Sequence, residues 1–315
     1  MKINLSADVR DQLEAPTLLA AWPGMGNVGA TAMAYMRATL GAKPLGEIDM
    51  SEQVAPQAVT VENGLVTLPE VAVNALYYLA DPPLLFMESP ENLEGPPALE
   101  LMSILLDFAR SYEVSSIITG AAYALPVGHR EKIRVLGAAN QGPIRDRLVP
   151  AGVELMKDGQ ISGLNGLLLG FAGLRRIPAA CLLATMPQYA VNIPNPKSSR
   201  AIIETLERLL EVKVDMAGLN EAVEKMDESM DHIEKQIRMA LNEGEAAPEG
   251  GGESWKEVEE EEVPKKVMQH IEKLFDEVKS TGSREKATQL KAELDRWNLF
   301  KLYEDRFLNL FREED

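Results

Sequence analysis

The stretch Thr17–Leu40, TLLAAWPGMGNVGATAMAYMRATL, decides the fold. It opens on an apolar run, TLLAAW, that suits a buried strand. It then turns through Gly24, Gly26 and Gly29 and closes on VGATAMAYMRATL, whose small and apolar residues suit a helix packed on a sheet. The three glycines spell G-x-G-x-x-G, the pattern by which a strand passes into a helix and presents backbone amides to a pyrophosphate. Asn27 is well suited to cap the helix. The first expectation is therefore a β-turn-α unit of an α/β domain.

Whether the loop binds a dinucleotide depends on the chain beyond the helix. Glu47 and Asp49 stand about 20 residues further on, where a dinucleotide fold places its ribose ligand. The segment Glu52–Pro69, however, holds Pro56 and the pair Asn63-Gly64, which reads as a type I′ hairpin turn between Ala58–Val61 and Leu65–Leu68. A mononucleotide-binding repeat would instead return through a second crossover helix. Pro23 also removes an amide at the mouth of the loop. The glycines are thus read as serving a tight turn and close helix-on-sheet packing, and no cofactor is expected.

Working outward, short apolar runs alternate with longer amphipathic ones up to about Leu210. Strands are predicted at Thr17–Trp22, Leu45–Met50, Val71–Leu79, Leu84–Glu88, Ser116–Thr119, Lys132–Gly137 and Ala179–Met186. Helices are predicted at Asn27–Leu40, Pro97–Tyr112, Pro143–Val149, Leu164–Arg175 and Lys197–Leu210. Ligands of open α/β sheets gather at the carboxyl ends of strands. A pocket there would draw on Gly24, Met25, Gly26, Asn27 and Gly29 of the loop, with Glu88, Thr119, Tyr123, Asn140 and Thr185 from other strand ends. The same residues also suit plain turns, with no ligand at all.

From Val214 the organisation changes. Leu219, Val223, Met226, Met230, Ile233, Ile237 and Ala240 recur at steps of four and three, which predicts a long helix over Asp215–Leu241. Its narrow apolar seam, flanked by charge, needs a partner: either helices of the C-terminal segment or a second subunit. At about 40 Å for about 27 residues it is long enough to build a bundle. The predicted organisation is an α/β domain over 1–213, the amphipathic helix over 214–241, a flexible acidic linker over 242–263 and a helical segment over 264–315. In that last segment Val267, Ile271, Leu274, Phe275 and Val278 form one apolar stripe. Leu290, Leu294, Trp297, Leu299, Phe300 and Phe307 form another.

Composition narrows the function. With 49 acidic against 32 basic residues the 315-residue chain carries a formal charge of −17 and no concentrated basic patch, so nucleic acid is not an expected partner. No segment offers the roughly 20 uninterrupted apolar residues of a membrane span, and the N-terminus is charged, so a cytoplasmic protein is expected. No metal site is expected, because the single cysteine and three histidines lack ligand spacing. Cys181, inside AACLLA, reads as a buried thiol of raised pKa, and His129, inside PVGHRE, as a surface histidine. Ser162, in GQISGLNG, is not a nucleophile elbow. No catalytic residue is assigned.

Several motifs in order carry a resemblance: Trp22–Gly29, then Gly159–Gly166 opening a helix, then Cys181–Tyr189 and Pro194-Asn195-Pro196 before another helix. Together they resemble the PAC2 family, named for a proteasome assembly chaperone, over roughly residues 1–240. The resemblance implies a three-layer αβα domain similar to nucleoside phosphorylases, with a helical extension. It also implies homo-oligomers and protein-binding or chaperone-like activity, and the lack of a convergent catalytic set favours a non-catalytic factor. Relatives that dock on the proteasome use a C-terminal hydrophobic-Tyr-x tail. This chain ends Arg312-Glu313-Glu314-Asp315, so docking by that route is not expected. The alternative reading is a small-molecule site, for a nucleoside, nucleotide or other phosphate-bearing ligand, at the strand ends with Gly24–Gly29 as its anion cradle.

Overall fold

A computed structural model describes residues 1–51, 53, 59–68, 73–243, 271, 273–275, 277–279 and 284–296. The chain forms two compact units, Met1–Ala246 and Ala247–Asp315.

The first unit is built on a nine-stranded sheet. In chain order its strands are β1 (Lys2–Leu5), β2 (Thr17–Ala21), β3 (Lys43–Asp49), β6 (Val73–Leu79), β7 (Leu84–Glu88), β8 (Ser116–Leu125), β9 (Val135–Ala139), β10 (Glu154–Leu155) and β11 (Ala179–Pro187). A separate hairpin joins β4 (Thr60–Glu62) to β5 (Leu65–Thr67) through Asn63 at φ 52° and Gly64 at φ 80°, the left-handed pair expected of a type I′ turn. The spatial order is β1-β3-β6-β7-β2-β8-β11-β9-β10. The four central strands, β7, β2, β8 and β11, run parallel, while β9 runs antiparallel to β11.

Side-chain alternation along these strands creates two cores, one on each sheet face. On one face Leu18, Ala20, Leu85, Met87, Ile117, Cys181 and Leu183 meet α2 (Gly95–Ser111) and α4 (Gly163–Leu174). On the other face Leu19, Ala21, Phe86, Ile118, Leu182 and Ala184 meet α1 (Val28–Leu40), α3 (Gly142–Leu148) and α5 (Pro196–Leu210). The architecture is an α/β domain, as the alternating pattern predicts, in the three-layer αβα form that the family resemblance implies.

Three local readings are corrected. β8 does not stop at Thr119. Gly120 and its small neighbours lie within the strand, where they let α1 press against the sheet: a Cβ added at Gly29 would collide with the Gly120 carbonyl. The strand predicted at Lys132–Gly137 sits at Val135–Ala139. The charged N-terminus, not read as a strand, forms edge strand β1 antiparallel to β3.

After α5 the chain enters α6 (Ala217–Glu243), close to the predicted Asp215–Leu241. In the second unit, Ile271, Leu274, Phe275 and Val278 pack with Ala287, Leu290 and Leu294 of a helix over Arg284–Arg296. The predicted linker beyond residue 243, together with Val267, Trp297, Leu299, Phe300 and Phe307, falls outside the described residues.

Candidate functional site

The glycine loop is stitched into the protein rather than held open. Gly24 is extended, and Gly26 (φ 57°) and Asn27 (φ 49°) are left-handed. The Gly26 N–H donates to the Val191 carbonyl at 2.7 Å, and its own carbonyl accepts from the Asn195 N–H at 3.0 Å. The Asn27 N–H donates to the Gly24 carbonyl at 2.9 Å and the Val28 N–H to that of Met25. Two consequences correct the sequence reading. The amides of Gly26 and Asn27 are already satisfied, so they do not form an anion cradle. Asn27, being left-handed with its side chain making no capping bond, enters the helix without capping it.

Gly26 is glycine because of packing as well as conformation. A Cβ there would stand 2.9 Å from Met186 Cε and 3.1 Å from the Ile193 carbonyl, on a backbone that L side chains rarely adopt.

The end of β2 is fixed from the other side of the sheet by Asn165 on α4. The Trp22 N–H donates to Asn165 Oδ1 at 3.1 Å, Asn165 Nδ2 donates to the Trp22 carbonyl at 3.3 Å, and the Thr119 hydroxyl donates to the Asn165 carbonyl at 2.8 Å. The buried side-chain amide thus ties the end of β2 to α4, as a backbone partner would at a strand end, and the Asn165 backbone carbonyl ties α4 to β8.

Between these elements lies a cavity of about 490 Å³. Its wall includes Trp22, Gly24, Met25 and Gly29 of the loop, Tyr123 of β8, Asn92, and Gln160, Ser162, Gly163 and Asn165 at the start of α4. Among the described residues no charged side chain lines it. Ser162 occupies the position before α4 without a side-chain capping bond, so first-turn amides that have no acceptor within the helix open beside the cavity. Chemically, such a wall offers hydrogen-bond donors and apolar area and no acid–base pair.

The predicted strand-end residues divide. Gly24, Met25, Gly29 and Tyr123 line the cavity, whereas Gly26, Asn27, Glu88, Thr119, Asn140 and Thr185 do not. Glu88 pairs with Arg37, whose guanidinium also lies 4.2 Å from the centre of the Tyr77 ring. Thr185 is buried, its hydroxyl accepting from the Arg134 N–H at 2.9 Å. Asn140 sits at the opposite sheet edge because β9 runs antiparallel. It donates to the Leu169 and Ile177 carbonyls and accepts from the Ala179 N–H. The cavity residues missed from sequence are Asn92, between β7 and α2, and Gln160–Gly163 with Asn165, at the entry and first turn of α4; the signal for the second group was the motif QISGLNG.

Cys181 is fully buried in the α2/α4 core, and burial pushes its thiol up to about 11, as expected from AACLLA. His129 corrects its reading as a surface residue: it is 2% exposed, and its Nε2 lies 3.1 Å from Asp231 Oδ1 on α6. Among the described residues no cluster of His, Cys, Asp and Glu is placed to hold a metal ion, and no helix is long and apolar enough to cross a membrane.

The His129–Asp231 contact belongs to a clasp that holds α6 on the α/β body of the first unit. The Tyr35 hydroxyl donates to the Asp215 carbonyl at 2.8 Å and accepts from the Leu219 N–H at 3.3 Å. Lys197 bridges the His129 carbonyl (2.7 Å) and Asp227 (3.3 Å), while Arg130 pairs with Asp231 at 2.6 Å. Beneath these contacts Leu219, Met226 and Met230, with half-buried Ile233, join the α1/α5 core, and Val223 is also buried. The first half of the seam is therefore covered by the α/β body of the same chain, rather than by the C-terminal helices or a second subunit. The side chains of Ile237 and Ala240 lie outside the described residues.

Comparison with known proteins identifies the fold. The family model described as "PAC2 family" matches residues 18–234. The chain belongs to the PAC2 family. An uncharacterized protein of Methanocaldococcus jannaschii is 23% identical over 242 residues, covering 76% of this chain and 90% of that protein. Among solved structures, PbaB of Pyrococcus furiosus, an archaeal proteasome activator, superposes with a TM-score of 0.63 at 24% identity. That match covers 74% of this chain and 98% of PbaB. PbaA of the same organism, an archaeal homolog of proteasome-assembly chaperone, gives a TM-score of 0.58 at 20% identity, covering 76% of this chain and all (100%) of its own. The motifs of the PAC2 resemblance coincide with the structural joints described above: the glycine loop, Asn165 and the turn into α5.

Proposed function

We propose that this PAC2 protein is a non-catalytic, self-associating factor that binds other proteins during assembly, with proteasome core subunits as the partner class its relatives' names point to. The observation that carries the reading is the β4–β5 hairpin. Its register pairs Val61 with Val66, so these two share one face of the ribbon, and the flanking Val59 and Leu68 follow the same alternation. All four are at least half exposed, from 50% at Val59 to 73% at Leu68. A two-stranded ribbon that leaves its aliphatic face in water is marginal alone, and such uncovered faces mark protein contacts. Docking through this face needs no C-terminal tail.

The test is native mass spectrometry of the full chain mixed with purified proteasome core subunits. A complex that the Val61→Glu/Val66→Glu variant cannot form bears the reading out. No complex in either case overturns it.

A second reading rests on the cavity of about 490 Å³ at the strand ends, a volume within the ordinary range of ligand sites. With the Gly26 and Asn27 amides already bonded, its polar anchor would be the start of α4. Its uncharged wall suits a ligand of little charge better than a polyphosphate. Thermal shifts across nucleosides, nucleotides and dinucleotides test it: stabilisation by several degrees favours the cavity, and none favours the protein-binding reading alone.

A further inference from the structure

Helix α4, GLNGLLLGFAGL, is apolar on every side although one side faces solvent. Its inner residues Leu164, Leu168, Leu169 and Ala172 belong to the core under α2. Its single polar residue, Asn165, is 7% exposed and bonded to Trp22. The outer side carries Leu167 at 49% and Leu174 at 82% exposure, and with Ile161, Gly166, Gly170 and Phe171 these line a shallow apolar groove of about 400 Å³. From Gly159 to Leu174 there is no charged side chain, in a chain of which 26% is charged. A helix on the surface of a globular domain normally turns a polar face outward, and one that is apolar all round is a buried helix. Something covers α4 when the protein works.

We infer that the cover is a second copy of this chain, joined through its own α4 about a two-fold axis with the two helices antiparallel. The inference rests on the self-association proposed above and names its surface. Two observations select this occupant. The stripe is complementary to itself, because Gly170, where a Cβ would meet nothing within 4 Å, leaves a recess beside the projecting Leu167, Phe171 and Leu174, while Ile161 of the same chain already fills the space over Gly166. A two-fold axis across an antiparallel pair near Gly170 therefore lays the projecting side chains of each helix over the Gly170 recess of the other. The ends of the helix are complementary as well. Asp158 precedes α4 and Arg176 follows it, both are exposed, and neither has an ion-pair partner among the described residues. Antiparallel pairing brings Arg176 of each copy toward Asp158 of the other, twice by symmetry. The absence of charge between these ends matters too, since two chains of −17 repel at a distance and only an uncharged face lets them close.

The experiment is light scattering coupled to size exclusion on the full chain, on Leu167→Glu/Leu174→Glu, and on Gly170→Cys under mild oxidation. All three positions are on the solvent side, and a Cβ at Gly170 meets nothing within 4 Å, so the variants should keep the wild-type circular dichroism and melting temperature. Leu68→Cys, on the hairpin, is the cross-linking control, and the native thiol of Cys181 is buried. The wild type should be oligomeric, the double glutamate variant should dissociate at least tenfold more readily, and Gly170→Cys should form a disulfide-linked dimer where Leu68→Cys does not. If the wild type is oligomeric and the glutamates change nothing, the α4 surface is wrong while self-association stands. A wild type that is monomeric at micromolar concentration overturns both.

Discussion

Replacing Asn165 with alanine tests the joint on which the strand-end architecture depends. The side chain accepts from the Trp22 N–H at 3.1 Å and donates to the Trp22 carbonyl at 3.3 Å, and the two residues are 7% and 1% exposed. Truncation strands one backbone donor and one backbone acceptor out of reach of water. At about 1–3 kcal/mol for each of the two buried groups left without a partner, the loss is about 2–6 kcal/mol. The Thr119 bond to the Asn165 carbonyl survives, because it uses backbone. Urea unfolding followed by far-ultraviolet circular dichroism should show the main transition at lower denaturant by about 1 M or more, with its slope unchanged. Asn165→Asp separates hydrogen bonding from packing: it keeps the shape and an acceptor for the Trp22 N–H, yet sets a buried carboxylate against the Trp22 carbonyl. It should be at least as damaging as alanine at neutral pH. A midpoint within the error of wild type for both variants would refute the claim that this amide holds the end of β2 to α4.

The same geometry sets three other expectations. Gly29→Ala forces a Cβ against the Gly120 carbonyl and should cost about 1–3 kcal/mol or more, while Gly24→Ala, whose Cβ meets nothing, should stay within about 0.5 kcal/mol; paired melting curves decide this. Met230→Ala removes a side chain that is 1% exposed and should loosen α6 by about 2–5 kcal/mol, seen as faster amide exchange in residues 217–233 with little change in β2 or β11. Cys181, its thiol raised to about 11 by burial, holds about one part in a thousand as thiolate at pH 8 and should resist a thiol reagent until urea unfolds the chain; rapid labelling of the folded protein would contradict its placement.

What was legible in the sequence was what local periodicity encodes. The alternating apolar runs located the four parallel strands and five helices of the sandwich, all but the far end of β8 within a few residues, and Asn63-Gly64 located the hairpin because its two residues tolerate positive φ. What was not legible depended on partners distant in sequence. Asn27 suited a helix cap by type, but the bonds from Val191 and Asn195 to Gly26 hold the loop in a turn that leaves Asn27 left-handed. Asn140 ended a predicted strand, but strand direction was unknown, and the antiparallel course of β9 carries it to the far edge. His129 reads as exposed until α6, some 100 residues later, places Asp231 over it. Asn165 stands within a recognisable motif, yet only the approach of α4 to the end of β2 gives its amide a role.

The proposed assembly role is tested most directly by reconstituting a proteasome core particle from separated subunits, with the full chain, with its Val61→Glu/Val66→Glu variant, and with neither. The account predicts a higher yield of assembled particle with the wild-type chain and a yield with the variant equal to that without any chain. Equal yields in all three would contradict it.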